Sequence, residues 1–596
     1  MSPIPRLLAL GFSPAARPLL ARLERSGRID AIRWPDGNSE PSDTWLARHW
    51  GEAQAVLAVG ACGLITRLIA PMISDKHRDP AVLAIDPQGR FVVPLLGGHA
   101  AGANQLAQEI AALLDATCVL TGAAESEGRL PLDAFGQAWG WRRGGGNWGD
   151  LMRSDASQDA ARALRVRQEA GQERWRDLEG AAHLVTATEA VEADLVIGPG
   201  IGPGCRWHPP CLWLGIGCER NTSLSVLERL VDDTLSAHHL APQAVAGMAS
   251  ASRKGDEQAI LALAHQRGWP LRLWSAAELA QVAVPNPSAA VAAEMGTPSV
   301  AEAAARLAAG NEAPLLVEKT IERTQGDEQG AATLAVALAH EQWAPARGEL
   351  HLVGSGPGTL DLLCPDARAA LAGCSVWVGY GLYLDLLEPL RQPHQLRRDG
   401  RLTEERQRCR EALDLARQGI KVALISSGDS GIYGMAGLAL DQWLALEPEQ
   451  RPAFQVHPGL SALQLAAARA GAPLMHDFCT ISLSDRLTPW EVIEERLKAA
   501  AAGDFVVALY NPRSAGRGWQ LQRAQELLLQ HRPAHTPVLL ARQLGRAEES
   551  TSLHQLADLP IDQVDMLTLV LVGNSTSRQQ DGWMVTPRGY PGAELG

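Results

Sequence analysis

Short apolar runs alternate with amphipathic stretches along nearly the whole chain. Between Leu7 and about Asp133 the runs AVLAVG, PAVLAID and RFVVPLLGG are separated by stretches with helical spacing, the texture of a small α/β domain. From Ala134 to about Pro210 the texture changes to GWRRGGGNWGDL, a charged RVRQEAGQERWRDLEG and then ADLVIGPGIGPG, which predicts a smaller, looser middle module. GPGIGPG reads as a loop between modules. A third α/β unit opens at CLWLGIGCERNTS and runs to about Glu341, with Ala-rich helices such as SVAEAAARLAAG. EQWAPARGE reads as a polar linker, after which a fresh strand begins at Leu350. The last unit reads strand (LHLVGS), glycine-rich turn, helix, strand (CSVWVGY), a long Arg-rich stretch, strand (KVALISS), turn and helix. Strands FVVALYN, PVLLARQ and LTLVLVG follow, each preceded by a helical pattern. Strands spaced by helices imply mostly parallel sheets. The expected architecture is therefore multidomain α/β, with units 1–133, 134–210 and 211–341, a linker 342–348, and a two-lobed unit 349–596 (lobes about 349–455 and 456–590). A polar linker further predicts that the part from about Arg347 folds by itself.

Composition narrows the function classes. A chain of 596 residues is too long for one core. Hydrophobic residues at 46% and charged ones at 20% describe an ordinary globular protein. A net charge of −13 argues against broad nucleic-acid binding, which needs a basic face to displace counterions. The start, MSPIPRLLALGFSPAARPLL, lacks the charged-then-apolar layout of a signal peptide, and no apolar run is long enough to span a membrane. The expectation is a cytoplasmic protein that engages neither nucleic acid nor membrane. The nine cysteines form no CxxC pair and mostly sit in apolar runs, as reduced buried thiols would. Cys205, His208, Cys211 and Cys218 leave a metal site as a minor alternative; the expectation is no metal.

The chemistry is carried by loops. VGSGPGTLDLL places glycines at 354, 356 and 358 between a strand and a helix, but the spacing is not that of a dinucleotide loop and no GK[ST] follows. A tight turn with close backbone approach is all it shows. GDSG at 428–431 sits on a strand-to-helix turn of an α/β unit, which does not suit a trypsin-like protease. It suits a turn that offers backbone groups to a polar ligand, with Asp429 available for hydroxyls or an amine. Further stations are VHPGLSALQLAAARAGAP, SLSDRLTPWEVIEERL, ALYNPRSAGRGWQL, TPVLLARQLGRAEE and LVGNSTS.

Taken together and in this order, these motifs resemble the tetrapyrrole methylases, over about 250 residues. SLSDRLTPW and LYNPRS are similar to the precorrin-3B carbon-17 methyltransferase branch of vitamin B12 synthesis. The resemblance implies a two-lobed class III methyltransferase fold, with S-adenosyl-L-methionine between the lobes, a corrinoid substrate, ring contraction, and a homodimer formed through this domain. It implies cofactor contacts from Pro357, Ser427, Gly428, Asp429, Ile432, Ser461, Ala462, Asn511 and the Asn574 region. Asp361, Asp485 and Tyr510 are the candidate acid/base groups. Arg397, Arg398 and Arg401, in an expected loop, are candidates for the substrate's peripheral carboxylates, which arginine pairs bidentately. The chain departs from the family at Ser430, where GDP is common, at Arg486, where an aliphatic residue is usual, and at Leu363-Cys364 in place of Leu-Thr. Ser430 loosens the turn slightly and leaves its backbone donors in place. A different tetrapyrrole substrate, such as uroporphyrinogen, would keep the fold; SLSDRLTPW and LYNPRS weigh against it.

The first 340 residues resemble the cobalamin-biosynthesis protein G family (CbiG). The matching features are Gly60-Ala61, Arg67, Asp75-Lys76, Asp79-Pro80, the GGHAAGAN loop and Thr121, with LGIGCERNTS, Lys254, Asp256-Glu257, SVAEAAA and Lys319 in the part also found alone as CobE. The resemblance implies opening of a lactone on the contracted ring of cobalt-precorrin-5A. GGHAAGAN is a glycine-rich turn feeding a helix N-terminus, a natural carboxylate site. His99 is the candidate acid or base there, and Arg67 and Lys76 are candidates for substrate carboxylates. VLTGAAES departs from the TTAT-like segment expected in that family. The alternative is a corrinoid-binding or delivery module with no chemistry of its own.

Overall fold

The computed structural model describes residues 6–35, 40–75, 78–98, 101–121, 129–156, 163–343, 347–401, 403–514 and 518–590. Its apolar runs become strands of separate sheets covered by amphipathic helices. The first sheet carries six strands in the order Ala31–Arg33, Arg6–Gly11, Ala53–Val59, Ala81–Ile85, Phe91–Leu96, Thr117–Cys118. Its neighbours are parallel except at Ala81–Ile85 against Phe91–Leu96, where a tight turn with Gly89 at φ 72° reverses the chain. The third unit forms a five-stranded sheet ordered Leu271–Trp274, Val245–Ala251, Leu212–Cys218, Ala331–Leu338, Leu315–Arg323.

The middle module is not loose. It has its own five-stranded sheet, and Trp139, Trp141, Trp148, Trp175 and Trp207 are all buried around Phe135. Ring pairs such as Phe135–Trp175 (5.1 Å) and Trp148–Trp207 (5.5 Å) fill space that short strands alone cannot. GPGIGPG is not an intermodule connection; it joins strands Leu195–Ile197 and Cys205–His208 within this sheet. His208 is held by the Gly198 carbonyl at 2.8 Å. Among the described residues no group of three or more His, Cys, Asp or Glu side chains is placed to hold a metal.

The front lobe of the last unit is an all-parallel sheet ordered Leu396–Gly400, Val376–Tyr380, Lys421–Ser426, Glu349–Gly354, Ala453–His457. Strands Lys421–Ser426 and Glu349–Gly354 are neighbours whose onward connections run in opposite directions. The chain leaves the second toward Val376–Tyr380 and the first toward Ala453–His457. Helix Pro365–Gly373 accordingly packs on one face, with Val353 and Ile425, and helix Ala436–Leu444 packs on the other, with Leu352 and Leu424. A crevice opens between such strands at their C-terminal ends, where α/β sheets bind ligands.

The back lobe departs from the parallel expectation. Its sheet runs Phe478–Ser482, Val506–Tyr510, Thr568–Val572, Pro537–Arg542, Ser550–Gln555, and only the first pair is parallel. Parallel pairing needs a crossover of about a dozen residues. The short turn after Arg542 cannot supply one, so Ser550–Gln555 folds back as a hairpin. Val507 and Leu509 face helices Trp490–Ala502 and Gln520–Leu529, while Val506 and Ala508 face helix Ala462–Ala470.

The stretch read as a polar linker is a joint. Gln342 is 2% exposed. It accepts from Trp141 Nε1 (2.6 Å) and the Gln172 amide (3.0 Å), and donates to the carbonyls of Trp139 (2.6 Å) and Gln418 (2.8 Å). The Trp343 ring is contacted by the guanidinium groups of Arg272 (4.5 Å) and Arg417 (5.6 Å). Around this joint the tryptophan core of the middle module runs without interruption into Leu350, Leu413, Ile420 and Met435 of the front lobe. The first unit also docks on the lobe: Gln105 Nε2 donates to the Gly373 carbonyl at 2.8 Å, and Ala369 joins the core of the first unit. Independent folding from Arg347 therefore conflicts with a core that the cut would divide.

Candidate functional site

Three glycine-bearing turns meet at the C-terminal ends of strands Glu349–Gly354, Lys421–Ser426 and Ala453–His457. Gly428 N donates to the Gly356 carbonyl (2.8 Å), and Gly356 N returns a bond to the Gly428 carbonyl (3.1 Å). A Cβ at Gly459 would stand 2.0 Å from the Gly428 oxygen, and one at Gly354 would stand 2.6 Å from Gly459 N. Only glycine allows these backbones to touch. Gly428 differs: at φ 64° its open side faces space, with no atom nearer than 3.8 Å to the position a Cβ would take.

Polar groups lock the turns. Asp429 Oδ1 accepts from Gly431 N (2.8 Å) and its Oδ2 from Gly459 N (3.1 Å), so one carboxylate ties two turns together. Ser461 and Gln464 form a reciprocal capping box at the start of helix Ala462–Ala470. Tyr510 Oη accepts from Leu463 N in the same first turn (3.2 Å), and burial pushes its phenol up, keeping it neutral. Asn511 Nδ2 donates to Ser482 Oγ (3.1 Å). Tyr433 reaches across the lobes, its hydroxyl donating to the Thr480 carbonyl (3.0 Å) and its ring 5.1 Å from that of Tyr510.

These groups bound a cleft of about 210 Å³ between the lobes. Pro357, Ser427, Gly428, Asp429, Ile432, Ser461, Ala462 and Asn511 all line it. Tyr433, Asn511 and Gln543, also in its wall, hold left-handed backbone at φ 53°, 50° and 49°. Non-glycine residues in that region cost conformational energy and concentrate where a ligand is gripped.

Several expected residues are elsewhere. Asn574 is buried with its Oδ1 taken by Thr576 N (3.1 Å) and Ser577 Oγ (3.0 Å), and it does not line the cleft. Of the acid/base candidates only Tyr510 does; Asp361 is exposed on its own turn, and Asp485 accepts from Gln520 Nε2 at 3.1 Å. Arg397 and Arg398 lie in a strand, Leu396–Gly400, not a loop. Arg397 is engaged by Asp399 on its own strand and by Asp385 and Glu388, and Arg398 by Glu411; all but Asp399 are carboxylates brought from neighbouring elements that sequence distance conceals. Arg401 is exposed just beyond that strand, and Arg67 is exposed on helix Cys62–Ile69. His99 and Lys76 lie outside the described residues. Tyr383, Tyr433, Gln543 and Arg546, which the motif reading missed, line the cleft. For the last two, the signal was the RQLGR turn directly after an apolar strand.

A hydrogen-bonded chain with a buried histidine pair at its centre links strands Glu349–Gly354 and Ala453–His457 to helix Pro365–Gly373. Glu349 Oε2 contacts His351 Nε2 (2.9 Å), His351 Nδ1 contacts His457 Nε2 (2.9 Å), and His457 Nδ1 contacts Asp366. Burial opposes the Glu349 charge, but the bonds from His351 and Lys421 outweigh it and hold its carboxyl at about 2. The bond from His457 holds the Asp366 carboxyl below its usual range. A second cavity, about 270 Å³, lies where three units meet. Gly98, Gly102 and Asn104 of the first unit, Phe135 and Trp139 of the middle module, and Gln392 and His394 of the front lobe all contribute to its wall.

The chain matches three family models: Cobalamin synthesis G N-terminal over residues 44–125, Cobalamin synthesis G C-terminus over 212–337, and Tetrapyrrole (Corrin/Porphyrin) Methylases over 349–560. It is 47% identical over 243 residues to the probable cobalt-factor III C(17)-methyltransferase of Salmonella typhimurium, covering 40% of this chain and 99% of that one. It is 41% identical over 258 residues to the precorrin-3B C(17)-methyltransferase of a Sinorhizobium species, covering 41% and 98%. The crystal structure of the methyltransferase CobJ aligns at 39% identity over 40% of this chain and all of that one, with a TM-score of 0.39. The chain therefore belongs to the tetrapyrrole methylases, with S-adenosylmethionine as its methyl donor, and carries cobalamin-synthesis G domains ahead of the methylase in a single polypeptide.

Proposed function

We propose that the unit 349–596 methylates carbon 17 of precorrin-3B, or of its cobalt form, with ring contraction. The observation that supports this most is the convergence of Pro357, Ser427, Gly428, Asp429, Ile432, Ser461, Ala462 and Asn511 on one cleft between two lobes. S-adenosylmethionine supplies an electrophilic methyl group on a sulfonium. The chain's share is to bind, orient and exclude water. Gly428 lets a ligand lie against the backbone, Asp429 fixes the two turns that carry the donors, and the Ser461 cap aims the first turn of helix Ala462–Ala470 into the cleft. Of the expected acid/base groups Asp361, Asp485 and Tyr510, the one in the cleft wall is Tyr510, neutral and half-buried, and suited to hold a proton during ring contraction. Alignment of carbon, methyl and sulfur then supplies most of the acceleration. The test is to incubate the purified chain with S-adenosylmethionine and precorrin-3B or cobalt-factor III, following mass and spectrum. A product one methyl group heavier with a contracted-ring spectrum is expected; unchanged substrate in both cases would overturn the reading.

We further propose that the N-terminal units, taken as 1–133, 134–210 and 211–341, open the lactone of cobalt-precorrin-5A with His99 as acid or base. Support comes from the GGHAAGAN flanks Gly98, Gly102 and Asn104, which line the larger cavity. The participation of Gln392 and His394 in that cavity favours a second reading, a corrinoid-binding module that serves the methylase. Release of acetaldehyde from cobalt-precorrin-5A, abolished in His99→Ala, separates the two.

A further inference from the structure

Arg546 lies in the wall of the cleft between the lobes. It is half-buried in the cleft wall, yet among the described residues its guanidinium has no ion-pair or hydrogen-bond partner. Its acidic neighbours are committed elsewhere. Glu548 accepts from Gln543 Nε2 (2.9 Å), and Glu549 from Gly545 N (2.7 Å) and Arg469 Nε (2.5 Å). The acid in the cleft wall, Asp429, is occupied by Gly431 N and Gly459 N. The Arg546 stem is also positioned. A Cβ on Gly358 of the front lobe would meet its Cγ at 2.8 Å, so the back-lobe arginine rests directly on a front-lobe glycine.

A second unpartnered group comes from the other lobe. Tyr383, on helix Gly381–Leu387, lines the same cleft, and its hydroxyl has no partner among the described residues. Burial pushes its phenol up, and both residues stand in the wall of the one cleft of about 210 Å³. An unpaired guanidinium and an unpaired neutral hydroxyl, one from each lobe, are donors without an acceptor. A half-buried charge left so is costly unless a ligand completes it.

We infer that Arg546 and Tyr383 form a carboxylate-binding subsite that ties a bound ligand to both lobes at once. The inference rests on reading the cleft as the methyl donor's site. The carboxylate belongs either to the amino-acid end of the donor or to the edge of the macrocyclic substrate; the recognition chemistry, a charged fork plus a hydroxyl donor, is shared.

The test uses the full chain and Arg546→Gln, which keeps the stem packed on Gly358, with Tyr383→Phe beside it. Calorimetry with S-adenosylhomocysteine and with 5′-methylthioadenosine, which lacks the amino-acid end, reads the donor arm. KM for the corrinoid at saturating donor reads the substrate arm. If the subsite holds the donor, S-adenosylhomocysteine weakens about tenfold or more in Arg546→Gln while methylthioadenosine is unchanged. If it holds the substrate, both nucleosides bind as before and KM rises by a similar factor. In either case Tyr383→Phe moves the same arm by a smaller factor. The inference is overturned if a folded Arg546→Gln leaves both arms within twofold of the parent, changes only kcat, or moves a different arm from Tyr383→Phe. Failure of the donor-site reading itself would show otherwise: the unmodified chain would bind S-adenosylhomocysteine no better than Gly428→Val does.

Discussion

Asp429 and Gly428 are adjacent and do different things, so their substitutions should separate. Val at 428 places a β-branched side chain on left-handed backbone and fills the open side of the turn. S-adenosylmethionine affinity should fall below calorimetric detection. Asp429→Ala unties the turns by removing the acceptor for Gly431 N and Gly459 N but puts no bulk into the cleft, so affinity should fall less, by about tenfold. Equal, unchanged affinities in both variants would disprove the assignment. That both residues sit on one cleft-lining turn was legible in the sequence, because a tight turn with close backbone approach calls for glycine beside a short acid. Arg546 was not, because an arginine's worth depends on which carboxylates the fold brings to it; that same blindness made Arg397 and Arg398 look available. Glu349 carries a consequence for acid stability. Its carboxyl is held at about 2 against an ordinary 4.5, so the folded state binds fewer protons than the unfolded one between those values. Its contribution is complete above about pH 4.5 and is lost as pH falls toward 2. In Glu349→Gln, urea midpoints should depend less steeply on pH across that window than in the parent.

Strands and helices were largely readable from apolar spacing, whereas the direction of the back-lobe strands was not. Spacing reports which face is buried; direction depends on whether a connection is long enough to cross over, and the turn after Arg542 is not. The linker was misread for a related reason. Gln, Trp and Arg look solvated in a list, but Gln342 satisfies four buried groups at once. Gln342→Ala should cost about 3 kcal/mol or more in urea unfolding, since it strands buried donors and acceptors on both sides of the joint. Gly459→Ala should be more damaging still. A methyl group 2.0 Å from a carbonyl oxygen cannot be accommodated without separating the turns, and both stability and donor binding should be lost.

At the scale of the whole molecule, the shared core alters what dividing the chain would do. The middle-module tryptophans and the front-lobe sheet form one apolar cluster, and helix Ala103–Leu114 packs against helix Pro365–Gly373. A fragment starting at Arg347 should therefore be recovered poorly, or melt well below the intact chain, while the two pieces produced together should reassociate and restore methylation. A fragment as stable and active as the intact chain would show that the cluster contributes little. The order in which a ribosome delivers the polypeptide gives this continuity a temporal side. Trp139, Trp175 and Trp207 emerge well before Ile420 and Met435, the residues that close over the same core. The module must wait, with part of its largest apolar surface uncovered, while some two hundred further residues are made. At a synthesis rate of roughly 5–20 residues per second that interval is about 10–40 seconds, ample time for a folding helper to engage or for neighbouring nascent chains to stick together. Yield in a heterologous host should accordingly respond to chaperone supply and to pauses placed before codon 420 more than to any change at the cleft between the lobes.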